Sequence, residues 1–371
     1  MEKYKDMTIK KKSNLKLLRN LIFFILLIVF TFWFIFKDQD MNEMFNTIRS
    51  VDLKYVLLGL ICMFFTYIIE SYNVRNILVS LGEKKLSILK ALKFTWIGFF
   101  FSAITPAASG GQPVEIYYMT KDKISAANGT MAMLLQLCSF QIATIILSIV
   151  CAIINPNILK GGILWFYLLG LLLNGMVLLF MMFAIFSKKI TRKLVNIFIK
   201  IIKNLKVKNV EKKKEKILES LNQYNESAKF IKNNKNEFIK SILRVLVQTI
   251  CFHSIPFFTY KAFGLNNYGY LELFTMQSVF FISVSSLPLP GAVGVSETLF
   301  LKIFGIVFGK NLLNGAMLIN RFVSFYFYVI VSMIVSITTT IKTKNIVSEV
   351  DKNIIEIDGD DKYHGRIFKV C

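Results

Sequence analysis

The chain has 371 residues, of which 54% are apolar and 14% aromatic, and its mean hydropathy is +0.54. This composition is typical of an integral membrane protein and argues against an ordinary soluble domain. The formal net charge is +22, but the Lys and Arg residues fall between long apolar runs rather than on one face of a polar domain. We therefore interpret the basic excess as a topology signal and expect no direct binding of nucleic acid.

Six apolar runs approach the length of a membrane crossing, which takes about 20 residues. They lie near residues 16–36, 54–72, 128–154, 161–187, 239–262 and 312–341. The first run follows a basic segment, and no small-residue cleavage site precedes the sequence KDQD, so we expect an uncleaved span rather than a signal peptide. Two further apolar runs, near 91–120 and 271–309, are interrupted by Pro and Gly.

The distribution of basic residues predicts the topology. Seven Lys or Arg residues lie in the first 19 positions, and the segment 188–240 carries sixteen against five Glu. The positive-inside rule assigns both segments to the cytoplasm. Both assignments hold if 91–120 enters from the cytoplasm and returns there, and if 271–309 enters from the outer side and returns there. We therefore predict an all-α polytopic membrane protein with six crossings and two oppositely oriented re-entrant hairpins.

This prediction divides the chain into two parts. Residues 1–344 form the membrane domain, which includes 188–240 as a basic, amphipathic cytoplasmic segment. Residues 345–371 form a mobile cytoplasmic tail, because the charges there are mixed and no apolar run follows. The predicted protein is multi-pass, lies in a bacterial plasma membrane and has both termini in the cytoplasm.

The two interruptions resemble each other. PAASGGQPVE runs from Pro106 to Glu115 and PLPGAVGVSE from Pro288 to Glu297, so each begins with Pro, contains Gly and ends on Glu nine positions later. Matched broken helices of opposite entry are typical of inverted-repeat transporters, in which the helix ends meet near the midplane and bind substrate. An inverted internal repeat is one explanation, and a chance match is the other.

Irregular backbone at membrane depth is tolerated where it is buried in protein or lines a water-filled cavity. Helices that restart at Val114 and Val295 would direct free amides into such a cavity and attract phosphate. Glu115 and Glu297 would lie in the first turns, where they either bind a cationic headgroup or cap the helix. The candidate substrate-binding residues are Pro106, Gly110, Gly111, Glu115, Pro288, Pro290, Gly291, Gly294, Glu297 and Arg321.

Polar residues within apolar runs also need an assignment, because ionisable groups in a bilayer usually face inward. Arg321 either faces a lipid phosphate in the interior or snorkels to the outer headgroups. Glu70 is expected at the inner interface, and His253 is expected to stabilise a helix kinked near Pro256. The expected interhelical hydrogen-bond partners are Gln136, Gln141 and Gln248.

The basic segment 188–240 contains an apolar stripe with 4-3-4-3 spacing, which predicts one amphipathic helix. Its members are Ile217, Leu221, Tyr224, Ala228 and Ile231. The stripe either lies on an anionic inner leaflet or packs on the cytoplasmic ends of the spans, and we favour packing.

Cofactor motifs are missing from the sequence. The five Cys and two His residues do not have metal-ligand spacing, and GIVFGK, residues 305–310, is one residue too short for a phosphate-binding loop. We therefore expect no cofactor and no metal, and transport by a passive or gradient-driven route.

The two interruptions carry a family resemblance. TPAASGGQPVEIYYMTKDKIS followed by a long span, and SLPLPGAVGVSETLF followed by a span with Arg321, resemble the membrane region of the bacterial lysylphosphatidylglycerol synthase family. The resemblance covers about residues 15–341. Many relatives have an acidic residue and an arginine after the Gly-Gly pair of the first motif, whereas Gln112 and Pro113 follow here.

The resemblance implies movement of an aminoacylated phosphatidylglycerol, or another anionic or isoprenoid-linked lipid, between leaflets, and a link to cationic peptide resistance. Full-length synthases add a soluble domain that transfers lysine from lysyl-tRNA to phosphatidylglycerol. Only about 30 residues follow the last predicted span. We therefore expect a stand-alone, flippase-like lipid translocase rather than an enzyme.

The expected partners are a membrane phospholipid as substrate, a separate lipid aminoacyl synthase and further copies of the chain in an oligomer. The first alternative is a phosphatidylglycerol lysyltransferase, acting alone or with a partner synthase. The second is a structural partner of cell-envelope enzymes.

Overall fold

The computed structural model describes residues 49–84, 86–105, 108–204, 210–285 and 295–340, together with residues 42 and 46. Every regular element in these ranges is helical. The predicted span 16–36 and the tail 345–371 lie outside the described residues. The same is true of five candidate site residues, Pro106, Pro288, Pro290, Gly291 and Gly294.

The helices follow one another with short connections. In chain order they are α1 Leu53–Ser80, α2 Ile88–Ala103, α3 Gly111–Lys121, α4 Ala126–Ile154, α5 Ile163–Phe186, α6 Lys188–Asn204, α7 Val210–Asn233, α8 Lys235–His253, α9 Ile255–Ala262, α10 Tyr270–Val284 and α11 Val295–Arg321. A 3₁₀ turn, Pro156–Leu159, links α4 to α5. A π-helical turn, Phe322–Tyr326, follows α11, and helix continues to Thr340.

Five helical stretches in the described residues are long and apolar enough to cross a membrane. They are α1, α4, α5, the stretch Lys235–Ala262 that contains α8 and α9, and the last span, Asn311–Thr340. These stretches coincide with five of the six predicted spans, whose crossing of a membrane stays a prediction, and the sixth predicted span lies outside the described residues. Gly309, with φ of 68°, separates the last span from the preceding part of α11.

Local sequence explains where several helices begin. Asp52 accepts a hydrogen bond from the Lys54 amide at 2.9 Å before α1, and Ser87 accepts one from the Lys90 amide at 3.3 Å before α2. Before α10, the Glu272 carboxylate accepts from the Gly269 amide at 2.7 Å. Each contact satisfies an amide that has no partner inside its helix.

The first interrupted run, 91–120, forms two helices that pack side by side. Helix α2 ends at Ala103 and α3 begins at Gly111, which confirms the predicted break. At the tip of the pair, the Gly110 amide donates to Thr105 Oγ1 at 2.9 Å. At the open end, Lys93 Nζ lies 3.3 Å from Asp122 Oδ2. The chain therefore turns back on itself and leaves near the point where it entered.

The open ends of the two interrupted runs lie at opposite ends of the bundle. Tyr118 of α3 forms a 2.8 Å hydrogen bond with Thr340, at the end of the last span. Phe308, just before the last span begins, packs edge-to-face against Tyr260 of α9, with 5.6 Å between the ring centroids. This geometry agrees with two oppositely oriented hairpins, while insertion into a membrane and an inverted repeat stay predictions.

The amphipathic segment packs on the bundle. Leu221, Tyr224, Ala228 and Ile231 are all buried, and the last three belong to a core cluster shared with α1 and α4. These contacts confirm the packing interpretation, and the side chain of Ile217 lies outside the described residues. Burial raises the pKa of the Tyr224 phenol. Its hydroxyl donates to the Ala184 carbonyl at 2.8 Å and so ties α7 to the end of α5.

Helix α5 meets α10 at a glycine. A Cβ atom on Gly170 would lie 2.2 Å from the Ile282 carbonyl oxygen, which is backbone and has little freedom to move. Five residues along the same helix, a Cβ atom on Gly175 would have no neighbour within 4 Å. The close approach of the α10 backbone therefore explains why residue 170 is a glycine. It does not explain the glycine at position 175.

We predict that Gly170→Ala lowers the free energy of unfolding by about 1–3 kcal/mol, because the added methyl overpacks the contact with α10. Gly175→Ala is the control, and it should be neutral or slightly stabilising because Ala is the better helix former by roughly 1 kcal/mol. Melting temperatures of the two purified variants in the same detergent test this. Equal melting temperatures would contradict the close contact.

Candidate functional site

An internal cavity of about 190 Å³ lies at the tip of the α2–α3 pair, bordered by α1, α4 and α8. Its polar lining residues are Tyr67, Glu70, Thr95, Ser102, Gln112, Glu115, Gln136 and Gln248. The volume is below the ~300–1,000 Å³ of sites for drug-sized molecules. A small polar group therefore fits the cavity better than an entire lipid.

The cavity lies about halfway along the spans. Phe140 and Leu137, which line it, are close to the midpoint of α4, and Gln248 is close to the midpoint of the stretch Lys235–Ala262. The tip of the α2–α3 pair reaches the same level, since Gly111 also borders the cavity. If the spans cross a bilayer, this polar space lies near the midplane.

Glu115 of α3 is buried, with 4% of its surface exposed, and it lines the cavity. The prediction that it lies in the first helical turn is wrong, because α3 begins at Gly111 rather than at Val114 and has no acidic residue in its first turn. Pro113 is compatible with this earlier start, since the first turn needs no intrahelical amide from it. Glu115 therefore does not cap the helix.

Two glycines allow α2 and α3 to approach each other beside Glu115. A Cβ atom on Gly98 would lie 2.5 Å from Glu115 Oε2. A Cβ atom on Gly111 would lie 1.9 Å from Ser102 Oγ and 2.7 Å from the Gly98 carbonyl oxygen. The position of the Glu115 carboxylate thus depends on the absence of side chains at both glycines.

Glu70 is half-buried and also lines the cavity. Helix α1 continues for ten residues beyond it, to Ser80, and the expected position of Glu70 at the inner interface stays a prediction. Ten helical residues add roughly 15 Å of length, which separates Glu70 from the end of the helix. The cavity therefore contains two carboxylates, one from α1 and one from α3.

A directed chain of hydrogen bonds ends on Glu70. Arg244 donates to Asn73 Oδ1 at 3.3 Å, Asn73 donates to Gln136 Oε1 at 2.5 Å, and Gln136 donates to Gln248 Oε1 at 3.2 Å. Gln248 then donates to Glu70 Oε2 at 3.1 Å. Arg has no acceptor and a carboxylate is an acceptor when ionised, so the two ends define the direction of all three amides.

The far end of this chain is an ion pair on α8. Arg244 Nη1 lies 2.6 Å from Glu237 Oε1, and the guanidinium also lies over the Tyr72 ring at 5.7 Å. Asn73 makes a further bond to Ser241 at 2.8 Å, and Ser241 bonds Ser139 of α4 at 2.7 Å. The network therefore joins α1, α4 and α8, and it confirms Gln136 and Gln248 as interhelical partners.

Gln141 differs from these two glutamines. Its Oε1 atom is buried and has no hydrogen-bond partner within the part of the chain that the structure describes. The prediction of an interhelical bond is wrong for this oxygen. His253 is fully buried against Phe274 and Phe281, with ring centroids at 5.8 and 5.5 Å, directly before the boundary between α8 and α9.

The arrangement of charges defines what the cavity can bind. Glu70 and Glu115 offer acceptors, which suit a cationic or hydrogen-bond-donating group. Gly111 and Gln112 line the same space at the amino end of α3, where the helix dipole favours an anion. A ligand that carries both a cation and an anion is therefore complementary to this cavity, with the carboxylates facing the cation and the amino end of α3 facing the anion.

The remaining candidate residues are not among those that border this cavity, or they lie outside the residues that the structure describes. Gly110 is the N-cap of α3. Arg321 ends α11, directly before the π-helical turn, and the residues that border the cavity do not include it. Glu297 is the third residue of α11, with its side chain outside the described set. Their substrate-binding roles stay predictions.

Sequence reasoning did not find Asn73, Gly98 or Arg244. The sequence does contain a signal for Arg244, because polar residues recur along α8 with the 4-3-4 spacing of one helical face. These residues are Glu237, Ser241, Arg244 and Gln248. Glu70 and Asn73 have the matching spacing of three on α1. Gly98 carries no such signal, because the residue that it faces belongs to another helix.

The fold and cavity define an integral, multi-pass helical membrane protein with a buried polar site. A family model described as the lysylphosphatidylglycerol synthase TM region matches residues 21–332, and the chain belongs to this family. This match confirms the resemblance inferred from the two interruptions. The chain is also similar to a UPF0104 membrane protein of Archaeoglobus fulgidus, at 21% identity over 299 residues, which cover 79% of this chain and 88% of that protein.

We predict that Gln136→Met lowers the free energy of unfolding by about 1–3 kcal/mol, because it removes a donor to Gln248 and an acceptor for Asn73 in a buried network. Gln141→Met is the matched control on the same helix. It should change stability by less than about 0.5 kcal/mol or increase it, since the oxygen that it removes is unpaired. Melting temperatures in detergent measure both effects, and an equal loss in the two variants would contradict the network.

Proposed function

We propose that this protein is a lipid translocase that moves an aminoacylated phosphatidylglycerol, or another anionic or isoprenoid-linked lipid, between the leaflets of a bacterial plasma membrane. The observation that carries the proposal is the cavity halfway along the spans, with Glu70 and Glu115 in its wall. A charged headgroup is costly in hydrocarbon, and a polar cavity at this depth lowers that cost.

The headgroup chemistry follows from the wall of the cavity. The ammonium groups of an aminoacyl headgroup would bind Glu70 and Glu115, and the phosphate would lie near Gly111 and Gln112, at the amino end of α3. Because the cavity has a volume of only about 190 Å³, the acyl chains remain in the bilayer while the headgroup crosses. Family membership supports the link to lysylphosphatidylglycerol.

Orientation and partners complete the proposal. Both termini are cytoplasmic, the α2–α3 pair opens toward the cytoplasm, and the α10–α11 pair opens toward the outer side. Glu297 and Arg321 would meet the lipid on the outer half of its route. A separate aminoacyl synthase would supply the lipid to the inner leaflet.

We predict that Glu70→Gln and Glu115→Gln each reduce the rate of lipid transfer by about 10- to 100-fold, as expected for loss of one charge-assisted hydrogen bond. The assay uses proteoliposomes that contain lysylphosphatidylglycerol, with an impermeant amine reagent reporting its arrival in the outer leaflet. Glu219→Gln, on the exposed face of α7, is the control and should transfer lipid at the wild-type rate. Wild-type rates in both cavity variants, in well-folded protein, would refute the assignment of these carboxylates.

A second measurement separates transport from synthesis. The chain is expressed in a host that lacks lysylphosphatidylglycerol, first alone and then with a separate synthase. A translocase yields no lysyl-lipid alone, and with the synthase it increases the fraction in the outer leaflet. Lysyl-lipid formed by the chain alone would make it a phosphatidylglycerol lysyltransferase and refute the proposal.

A further inference from the structure

A second cavity, which we call the lateral groove, lies between α4, α5, α6 and α7 at the end of the bundle where α5 ends. Its volume is about 480 Å³, within the range of ligand sites. Small side chains create the space, since Ala126 and Ala127 begin α4 and Ala184 lies near the end of α5. Phe180, 56% exposed, borders it on the outer surface of α5. The lateral groove shares no lining residue with the cavity that contains Glu70 and Glu115, which we call the Glu70 cavity.

The surface of the lateral groove is mostly apolar, because three of the four hydroxyl groups that line it, all except that of Ser220, donate to backbone carbonyls. Thr191 and Tyr224 each donate to the Ala184 carbonyl at 2.8 Å, and Thr130 donates to the Ala126 carbonyl at 2.7 Å. These hydroxyl protons are therefore already used within the protein. A ligand that needs no hydrogen bonds, such as an acyl chain, suits this lining.

Positive charge lies beside the lateral groove. Helix α6 contributes Thr191 and Val195 to the lining and contains no Asp or Glu. Its first two turns carry four exposed basic residues, Lys188, Lys189, Arg192 and Lys193. Lys188 and Arg192 precede Thr191 and Val195 by three residues each, which puts them on nearly the same face of the helix. None of the four basic residues has an ion-pair partner among the described residues.

We propose that the lateral groove and the basic start of α6 bind an anionic phospholipid of the adjacent leaflet, with one acyl chain in the groove and the phosphate on the basic residues. An apolar groove with four basic residues on the adjoining helix α6 has the polarity of such a lipid. Each basic residue near an anionic headgroup contributes favourably, and four together distinguish an anionic from a zwitterionic lipid. This site is separate from the transport cavity and does not depend on the proposed function.

The experiment measures binding to the purified full chain in detergent, by melting temperature and by native mass spectrometry. Dioleoyl phosphatidylglycerol is compared with dioleoyl phosphatidylcholine, which has the same chains, and with glycerol 3-phosphate, which has none. The headgroup variant combines Lys188→Gln, Lys189→Gln, Arg192→Gln and Lys193→Gln. The groove variant is Ala126→Phe, which fills the space from an exposed position, and Thr130→Met is a second groove variant if the first folds poorly.

The matched control removes four exposed lysines elsewhere on α7 and α8. It combines Lys229→Gln, Lys232→Gln, Lys235→Gln and Lys240→Gln. We expect phosphatidylglycerol to raise the melting temperature of the wild type and of this control by several degrees more than phosphatidylcholine does. The headgroup variant and the groove variant should each bind phosphatidylglycerol at least about tenfold more weakly.

Four results would overturn the proposal. Equal stabilisation by glycerol 3-phosphate would mean that the site binds an anion without a chain. Normal phosphatidylglycerol binding by the groove variants would mean that the lipid lies on the protein surface and not in the groove. Equally weakened binding in the four-lysine control would mean that the lipid responds to the overall positive charge and has no specific site. Loss of binding in Glu70→Gln combined with Glu115→Gln would mean that the lipid occupies the transport cavity. That last result would leave the translocase proposal intact, so the two proposals fail separately.

Discussion

The structure depends on a requirement that buried polar groups be paired with one another. In hydrocarbon each unsatisfied group costs several kcal/mol, and one continuous chain of hydrogen bonds from Arg244 to Glu70 satisfies five polar side chains where α1, α4 and α8 meet. Every member except the ends both donates and accepts, so no amide can reverse without breaking two bonds. The same chain therefore holds three helices in register and directs an N–H group at the Glu70 carboxylate.

The interruption in the α2–α3 pair adds the second carboxylate. A continuous helix through this segment would carry Glu115 about 18 Å farther along its axis than residue 103, because twelve residues separate them. The break returns the chain beside itself, and Gly98 and Gly111 let the two helices touch closely enough for Glu115 to join Glu70 in one cavity. The broken helix and the polar network thus each contribute one carboxylate to the same site.

The two cavities have opposite chemistry. The Glu70 cavity is polar, small and halfway along the spans, whereas the lateral groove is apolar, larger and near the start of the basic helix α6. The first suits a headgroup and the second an acyl chain. A phospholipid contains both parts, and under the two proposals the separation of the cavities would allow the protein to bind one lipid while it moves another.

The sequence by itself determined the helical class, the apolar runs that match five long helices, the interruption between α2 and α3 and the family, because apolar run length, Pro and Gly are local signals. It also predicted that Gln136 and Gln248 bond between helices. Only the tertiary structure decided that Glu70 lies inside, that Glu115 follows the first turn of α3, and that Gly98 faces Glu115. The physical reason is that these properties depend on the rotation and depth of helices that are distant in sequence, and hydropathy contains no information about either.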